Sequence, residues 1–386
     1  MFKILLFSLL LISCERENVT EIQSKYFLKF YDIDFKEDIG YDIHLTPDGG
    51  YIIAGTTQNP QGNSDILLIK VDKYGNQATW SPLVIEGTGN NFGKAVDVVD
   101  DGYIIAGSAD SLMILKKINL NGEEVWCTSC TNKGMLNDLE IADGKIFTVG
   151  YIETDGIKRP FRAAFDLLGT LNDLSMPPYV ETGDFFTSMV QKGSYTSCYG
   201  TQFRSNQSNI SIIEHGAGGT FSSQETVFQE PLREYSTKIN TGSSDKYFIV
   251  GTINPINTGS AFTKIFIKKL NSDYSTDNSF SHIPLENAMT EWGGDFRGTE
   301  ACEMEDGSIV VLGDRSASND INIILFFLAP DGTVKFTKTF GKSGDQTASA
   351  LQITPDNGII ILGVNYQEVN AMITLIKTDS KGEIWE

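Results

Sequence analysis

The chain has 386 residues, a formal net charge of −20 and a hydrophobic content of 40%. A strongly acidic chain without a basic stripe argues against nucleic acid as a partner, and also against adhesion of the folded body to anionic lipid. The hydrophobic content is sufficient for a large buried core.

The first residues have the pattern of an export signal. Lys3 is followed by an apolar run, Ile4 to Ile12, which is too short to span a bilayer. The stretch Leu11 to Cys14 resembles the lipobox of bacterial lipoproteins. This resemblance implies cleavage before Cys14 and attachment of acyl chains, such as palmitate, to that cysteine. The alternative is an ordinary signal peptide with an incidental cysteine.

We therefore predict a signal peptide at 1–13, a flexible tether at 14–24 and one folded domain at 25–386. The lipobox resemblance implies a membrane-anchored protein of the outer membrane of a Gram-negative bacterium. Glu15 and Glu17 weakly resemble the surface-export signal of Bacteroidota lipoproteins, although Arg16 interrupts it. The periplasmic and the surface leaflet both stay open.

A short apolar segment that ends in glycine recurs along the folded part of the chain. It has the sequence GYIIAG at 50–55 and again at 102–107, and GIIILG at 358–363. The terminal glycines are residues 55, 107, 150, 200, 251, 313 and 363, which define repeats 1 to 7. A fixed period near 50 residues is typical of a repeat architecture.

The sequence pattern of each repeat predicts four antiparallel strands. Repeat 2 has strand candidates at Lys94–Val99, Tyr103–Gly107, Met113–Asn119 and from Glu124 onward. Asp-Gly and Asn-Gly between them are typical of tight hairpin turns. The second strands are apolar without alternation, which predicts that both of their faces are covered by other sheets. Their terminal glycines are expected where neighbouring sheets approach closely near the axis, the alternative being simple strand ends.

The two ends of the chain predict a closed ring. The last repeat begins its fourth strand at Glu383 and then stops, whereas Tyr26–Phe30 is a strand candidate without a partner. Pairing of these ends would leave no exposed sheet edge. We predict an all-β fold, a seven-bladed β-propeller of four-stranded antiparallel blades, closed by the N-terminal strand and monomeric.

The repeat pattern resembles that of a known group of proteins. DGGYIIAG at 48–55, DILLIKVD at 65–72 and GNQATW at 75–80 are similar to uncharacterised propeller lipoproteins of Bacteroidota. A looser likeness connects the turn-and-tryptophan element with propellers of the pyrroloquinoline-quinone type, including the propeller lipoprotein of the outer-membrane assembly machinery. Neither resemblance implies a catalytic residue. The aromatic residues after the turns are predicted to wedge between sheets at the outer edge; they are Trp80, Trp126, Phe336 and Trp385.

No catalytic or metal-binding motif is present in the sequence. The three histidines are His44, His215 and His282, and no HExxH, HxH or GxSxG surrounds them. We predict structural or surface roles for them and neither a metal nor another cofactor. The acidic turns lack the ligand spacing of an EF-hand.

The cysteines outside the signal region are expected to be structural. Cys127 and Cys130 form a CxxC without the second pair that zinc requires, so a local disulfide and two free thiols are the remaining options. Cys198 and Cys302 lie within strand candidates and are predicted to be core residues.

The candidate binding site lies where the repeat is longest. The step from Gly251 to Gly313 is 62 residues, and the excess falls between Asn271 and Thr299. It contains the predicted ligand-binding residues Trp292, Asp295, Phe296, Arg297 and Glu300. Connections between blades surround the mouth of a propeller channel, where ligands bind. The alternative is a longer connection whose tryptophan covers a sheet edge. Weaker rim candidates are Phe92, Phe185, Phe186 and Tyr366.

We predict a binding or scaffolding module without catalysis, with a glycan or a peptide as ligand. One alternative is a structural component of an envelope complex. Another is an enzyme acting on polysaccharide, a hydrolase or lyase, which would require clustered carboxylates of raised pKa at the channel mouth.

Overall fold

The computed structural model describes residues 24–178, 184–204, 207–216, 219–221, 233–254, 262–318, 320–341, 344–368 and 370–384. The predicted signal peptide, Cys14, nearly all of the tether and Trp385 lie outside these ranges.

The regular structure is almost entirely β. The first strand is β1 (Phe27–Tyr31). A four-stranded sheet follows, made of β2 (Asp38–Leu45), β3 (Tyr51–Gln58), β4 (Ser64–Val71) and β5 (Leu83–Ile85). The next sheet has seven strands: β6 (Asn91–Val99), β7 (Gly102–Ala109), β8 (Leu112–Asn119), β9 (Glu124–Ala142), β10 (Lys145–Thr154), β11 (Ile157–Asp166) and β12 (Leu171–Ser175).

The second half of the chain forms three more sheets and a helix. One sheet has six strands: β13 (Phe185–Lys192), β14 (Tyr195–Arg204), β15 (Gln207–His215), β16 (Arg233–Thr241), β17 (Tyr247–Asn254) and β18 (Lys264–Leu270). Helix α1 (Ile283–Trp292) precedes a four-stranded sheet of β19 (Asp295–Glu303), β20 (Ile309–Ala317), β21 (Asp320–Leu328) and β22 (Val334–Phe340). The last sheet contains β23 (Asp345–Ile353), β24 (Ile359–Tyr366), β25 (Ala371–Thr378) and β1.

The strands form five hydrogen-bonded sheets of four to seven strands, so the prediction of seven blades of four strands each is wrong. Two of the five sheets each contain two sequence repeats. Repeats 2 and 3 are joined because β9 is one continuous strand of 19 residues, which is the outer strand of one repeat and the inner strand of the next. Repeats 4 and 5 are joined by a single parallel bridge between Ser208 and Arg233.

The inner strands of the repeats form a closed ring. They are β2, β6, the second half of β9, β13, β16, β19 and β23, and each packs against the next. Strand β23 in turn packs against β2, so the first and last repeats are neighbours. A channel therefore runs along the axis of the ring.

The predicted closing strand is confirmed. Strand β1 pairs antiparallel with β25, from Phe27 opposite Lys377 to Tyr31 opposite Ile373. The hydroxyl of Tyr31 donates to the carbonyl oxygen of Gly75 in repeat 1 at 2.8 Å. The N-terminal strand thus completes the last sheet and also binds the first.

The apolar second strands are covered on both faces, as predicted. In β3, Tyr51 and Ile53 belong to a core cluster shared with repeat 7, whereas Ile52 and Ala54 belong to a cluster shared with repeat 2. Burial of one isoleucine side chain contributes about 1.5–3 kcal/mol. Packing between repeats is therefore the main source of stability.

In repeats 1, 2, 3 and 7, the turn between the third and fourth strands depends on an Asx residue and a glycine. The carboxylate of Asp72 accepts backbone N–H bonds from Tyr74 at 2.8 Å and Asn76 at 2.9 Å. Gly75 is in the left-handed region at φ 77°. These turns are one residue longer than the predicted two-residue hairpins, and side-chain bonds within the turn account for the acidic residues there.

Two of the predicted aromatic wedges are confirmed. The ring of Trp80 lies 6.2 Å from that of Tyr103 in repeat 2, and a Cβ on Gly122 would lie 2.7 Å from Trp80. Trp126 packs in the same way on Gly169 of repeat 3. Phe336 differs, because it stacks on Phe327 of its own sheet at 4.3 Å.

Candidate functional site

The terminal glycine of each repeat lies opposite a bulge in the inner strand. In repeat 1, Gly55 pairs with Gly40 and Ala54 pairs with Asp42, which leaves Tyr41 as the extra residue. The same shift occurs in the other six repeats. A Cβ on Gly107 would lie only 1.7 Å from the carbonyl oxygen of Phe92. At Gly107 the close approach is made by the inner strand of the same sheet. The predicted approach between sheets occurs at Gly313 and Gly363, where a Cβ would lie 2.8 Å from Ile265 and 2.6 Å from Ile323 of the neighbouring sheet.

The bulges direct one side chain from each repeat into the mouth of the channel. These side chains belong to Tyr41, Lys94, Asn137, Thr187, Thr237, Thr299 and Ser349. All of them line a cavity of about 580 Å³. Bulges are common next to binding sites because they re-aim a side chain. We call these residues the bulge ring; four of its members carry an aliphatic hydroxyl, and Tyr41 carries a phenolic one.

Lys94 is the only charged member of the bulge ring. Its Nζ lies 3.2 Å from the centre of the Tyr41 ring and 5.5 Å from that of Phe92. Burial lowers the pKa of Lys94 to about 8. No carboxylate among the described residues pairs with it, so the Tyr41 ring is the group that favours its charged form. The mouth of the channel therefore contains an ammonium group that lacks a counter-charge.

Arg297 and two aromatic residues complete the mouth. The Nε of Arg297 donates to Oδ2 of Asp314 at 2.7 Å, and its Nη2 donates to the carbonyl oxygen of Ala348 at 3.2 Å. Its side chain nevertheless remains 53% exposed. Phe185 and Tyr366 line the same cavity.

The floor of the mouth is a buried cluster of charges around Lys238. Its Nζ donates to Oδ1 of Asp138 at 3.1 Å, and Asp42 and Glu300 lie beside it. Burial opposes the charge on Lys238, but Asp138, Asp42 and Glu300 outweigh it and raise the pKa of this lysine. Burial also raises the pKa of Asp42 and of Glu300. A second cavity of about 380 Å³ shares these residues, so the cluster divides the channel in two.

Side chains of the inner strands also connect each repeat to the next. The carboxylate of Asp42 accepts the N–H of Val96 at 2.9 Å, and that of Glu300 accepts the N–H of Leu351 at 2.7 Å. Equivalent bonds from Asp97, Asp138, Ser188, Asn240 and Gln352 complete the circle. A hydrogen bond to a charged group contributes about 1.5–3 kcal/mol. The buried carboxylates therefore have a structural role in closing the ring.

Comparison with known proteins identifies the fold. No protein-family model and no curated protein matches the chain. Among solved structures, the WD40 β-propeller domain of Doa1 matches with a TM-score of 0.57 and 10% identity, covering 94% of this chain and 99% of that domain. The chain has the β-propeller fold. A PL25 ulvan lyase bound to a GlcA–Rha3S saccharide matches with a TM-score of 0.61 and 12% identity, over 94% and 97% of the two chains.

A puromycin hydrolase is a third structural neighbour. It matches with a TM-score of 0.57 and 10% identity, and the match covers 89% of this chain but 52% of the hydrolase. The three neighbours include a WD40 domain, a lyase and a hydrolase. At such low identity the likeness extends to the fold alone.

The predicted rim residues fall into two groups. Arg297 and Glu300 do reach the channel of the propeller, Glu300 at its floor. Phe296 is 1% exposed and packs on Phe326 in the core, so its prediction as a ligand-binding residue is wrong. Asp295 accepts the N–H of Thr263 at 2.8 Å and does not line the channel.

Trp292 covers a sheet rather than the channel. Its ring lies 6.1 Å from that of Phe326, and Arg315 lies over it at 5.6 Å. Trp292 is the last residue of helix α1, which accounts for the long step between repeats 5 and 6. Leu285 and Met289 of this helix are buried. The helix covers β18, which is the last strand of the six-stranded sheet. The backbone N–H of Ile265 in β18 donates to Sδ of Met289 in the helix at 3.3 Å.

The weaker rim candidates also divide. Phe185 and Tyr366 lie at the channel mouth. Phe186 is a core residue with 2% exposure, because adjacent residues of a strand point to opposite faces and Phe185 faces the channel. Phe92 lines a separate cavity of about 270 Å³.

The remaining predicted residues have structural environments. The Nε2 of His44 lies 3.3 Å from Oδ1 of Asp97, and His282 precedes α1. His215 is buried between repeats 3 and 4. In the described ranges no three His, Cys, Asp or Glu side chains are placed to hold a metal ion. No helix in the described part of the chain has the length and apolarity needed to cross a membrane.

The four cysteines in the described ranges are unbonded. Cys127 and Cys130 lie three residues apart on the extended strand β9, an odd spacing that places side chains on opposite faces. Of the two predicted alternatives, a local disulfide and two free thiols, the structure has the free thiols. Cys198 is fully buried, as predicted, and Cys302 packs at the edge of a core cluster.

Sequence reasoning missed the bulge ring as a set. Its members lie about 50 residues apart, and no residue type is common to all seven. The sequence signal that could have found them is their position. Each bulge residue lies in the inner strand opposite a terminal glycine, and the spacing of these glycines was already known.

Proposed function

We propose that this protein is a non-catalytic binding module that takes a carboxylate-bearing saccharide at the mouth of its channel. The seven repeats are joined into five sheets, and each repeat contributes one residue to the bulge ring. The observation that carries the proposal is Lys94, a partly buried ammonium that lies over the Tyr41 ring and has no carboxylate partner in the described residues.

An unpaired buried charge is unfavourable unless a ligand compensates it. Taking an ammonium group out of water costs several kcal/mol when no opposite charge replaces the lost hydration. Lys94 bears this penalty in the free protein, and its lowered pKa is the sign of it. A ligand carboxylate would relieve the penalty, and the exposed guanidinium of Arg297 offers a second positive group in the same cavity.

The rest of the lining suits a sugar ring. Four hydroxyl side chains and the Asn137 amide of the bulge ring can exchange hydrogen bonds with sugar hydroxyls. Tyr41, Phe185 and Tyr366 present apolar ring surface to the same space. The lyase described above holds a saccharide that contains GlcA, so a propeller can accommodate such a ligand, although 12% identity transfers no residue.

The buried carboxylates favour binding over catalysis. Asp42 and Glu300 are clustered and have raised pKa values, which is the arrangement that an enzyme acting on polysaccharide would need. Both, however, already accept backbone N–H groups of the next repeat. A residue that closes the ring is poorly placed to exchange protons with a substrate, so we assign these carboxylates to structure.

Export and lipidation at Cys14 form the cellular part of the proposal. The lipobox resemblance supports attachment to the outer membrane, with the binding mouth presented to saccharides in the envelope or outside the cell. Growth with labelled palmitate should label the natural chain and leave a Cys14→Ser variant unlabelled. Labelling of both would contradict this assignment.

The test of function is a calorimetric titration of the mature protein with trigalacturonic acid. We expect binding that weakens at least tenfold in Lys94→Met. Lys73→Met is the matched control, because Lys73 lies over the Tyr74 ring at 5.0 Å outside the channel. Equal affinity in Lys94→Met, or binding only of peptides with a free carboxyl terminus, would contradict the proposal.

A further inference from the structure

Repeat 3 contains a buried charge where every other repeat has an aliphatic residue. Arg162 pairs with Val149, directly before the terminal glycine of the repeat. The equivalent residues in the other repeats are Leu68, Leu115, Ile212, Ile267, Leu325 and Leu375. All six are at most 1% exposed and pack between sheets. The side chain of Arg162 is buried to a similar degree, with 7% exposed.

Repeat 4 has two matching polar substitutions on the facing sheet. Thr196 lies four residues before its terminal glycine, where the other repeats have tyrosine or isoleucine. His215 pairs with Thr196, at a position that is apolar in five of the other repeats and Thr378 in the sixth. Polar residues have thus replaced apolar packing on both sides of one interface.

These substitutions form a connected cluster. The Nε of Arg162 donates to Oγ1 of Thr196 at 3.2 Å, and its Nη1 pairs with Asp173. Thr196 donates to Oε1 of Gln191 at 2.5 Å. The guanidinium also lies 5.0 Å from the centre of the Phe147 ring. The cluster holds Arg162 in one orientation at the interface.

The cluster lines a cavity of about 520 Å³ between repeats 3 and 4. One of the lining residues has an unsatisfied polar atom: Nε2 of His215 is buried and has no hydrogen-bond partner in the described chain. It lies 3.8 Å from Oδ2 of Asp173, beyond hydrogen-bond distance. The imidazole also bonds to the backbone of Gly219, and burial and Arg162 lower its pKa, so Nε2 of the neutral ring is an acceptor.

The charges around the cavity are balanced. Arg162 and Lys145 provide two positive groups, and Asp143 and Asp173 provide two negative groups. An ion of either sign would meet repulsion as well as attraction. A neutral ligand with several hydroxyls would instead donate to His215 and Asp173 and accept from Arg162 and Lys145.

We propose that the cavity between repeats 3 and 4 is a second binding site, separate from the channel, which takes a neutral sugar unit through Arg162, Asp173 and Nε2 of His215. A volume of about 520 Å³ lies in the range of small-ligand pockets and fits a mono- or disaccharide. The site does not depend on the channel proposal, because it shares no lining residue with the mouth.

The test uses the mature protein and neutral sugars as probes, namely glucose, galactose, mannose, rhamnose, maltose and cellobiose. The chain has three histidines, so the imidazole Cε1–H signal of His215 can be assigned by comparison with a His215→Gln variant. We expect at least one sugar to shift this signal in a saturable way and to depress its titration midpoint further, because a hydroxyl that donates to Nε2 opposes protonation.

Arg162→Leu restores the aliphatic residue of the other repeats and should therefore leave the melting temperature unchanged or raised. We expect it to weaken sugar binding at least tenfold, whereas the channel variant Lys94→Met should bind neutral sugars normally. Asp173→Asn, at a side chain that is 39% exposed, is the second variant if Arg162→Leu does not fold. Sugar binding that survives both variants would overturn the proposal. So would the absence of binding by every probe at 50 mM, roughly the weakest affinity range that can be assigned to a site.

Discussion

Lys94 links the stability of the propeller to its proposed function. Burial lowers its pKa from 10.5 to about 8, so between these values the folded state binds fewer protons than the unfolded chain. Stability should therefore rise with pH through this window and be lowest at neutral pH and below. The penalty at neutral pH is the free energy that an anionic ligand would recover.

We predict that Lys94→Met is more stable than the natural protein at pH 7, by about 1–3 kcal/mol after allowance for partial exposure. Urea unfolding at pH 7 and at pH 10 measures this difference, which should shrink at the higher pH. A variant that is less stable at pH 7 would mean that the ammonium has a structural partner.

The terminal glycines are required by the bulges. In Gly107→Ala the new Cβ would lie 1.7 Å from the Phe92 carbonyl oxygen, which neither backbone nor rotamer change can relieve without breaking the bulge. We expect a loss of at least about 2–3 kcal/mol in the free energy of unfolding. Gly216→Ala is the control, because its nearest neighbour would be a ring atom of Tyr195 at 3.4 Å. Similar effects of the two changes would contradict this explanation.

At the level of elements, β1 has the largest single role. It covers the edge of β25 and buries Phe27 and Tyr31 in the core that repeats 1 and 7 share. A chain that lacks residues 24–31 should lose several kcal/mol of stability and aggregate, because a long strand edge becomes exposed. Differential scanning calorimetry and light scattering would show this. An unchanged melting temperature would mean that the ring does not need its closing strand.

Other elements could not be anticipated from local sequence. The apolar second strands and the glycine-containing turns predicted most strand positions, because strand burial and left-handed glycine leave strong local signals. Helix α1 was missed because Ile283–Trp292 is short and His282 provides no side-chain cap. The number of sheets was predicted wrongly because the continuity of β9 depends on hydrogen bonding through residues 130–134, which no residue type marks.

At the scale of the whole molecule, the repeat predicted the ring but not its sites. Seven bulge residues, about 50 positions apart, become neighbours only because the ring closes, so no motif contains them. The polar substitutions at Arg162, Thr196 and His215 were visible once the repeats were aligned on their pairing register, and that register came from the structure. The long connection near Trp292 was predicted to be a binding site because of its length, yet the helix inserted there covers a sheet edge.

The central claim is that the charge on Lys94 binds an anionic ligand at the channel mouth. The most direct measurement is the dissociation constant for trigalacturonic acid between pH 6.5 and 9.5, in the natural protein and in Lys94→Arg. A ligand carboxylate favours the protonated amine of Lys94. In the natural protein the affinity should therefore fall as the pH rises above about 8, approaching a tenfold loss per pH unit. In Lys94→Arg the affinity should stay nearly constant over this pH range. An affinity that does not change with pH in the natural protein would contradict the account.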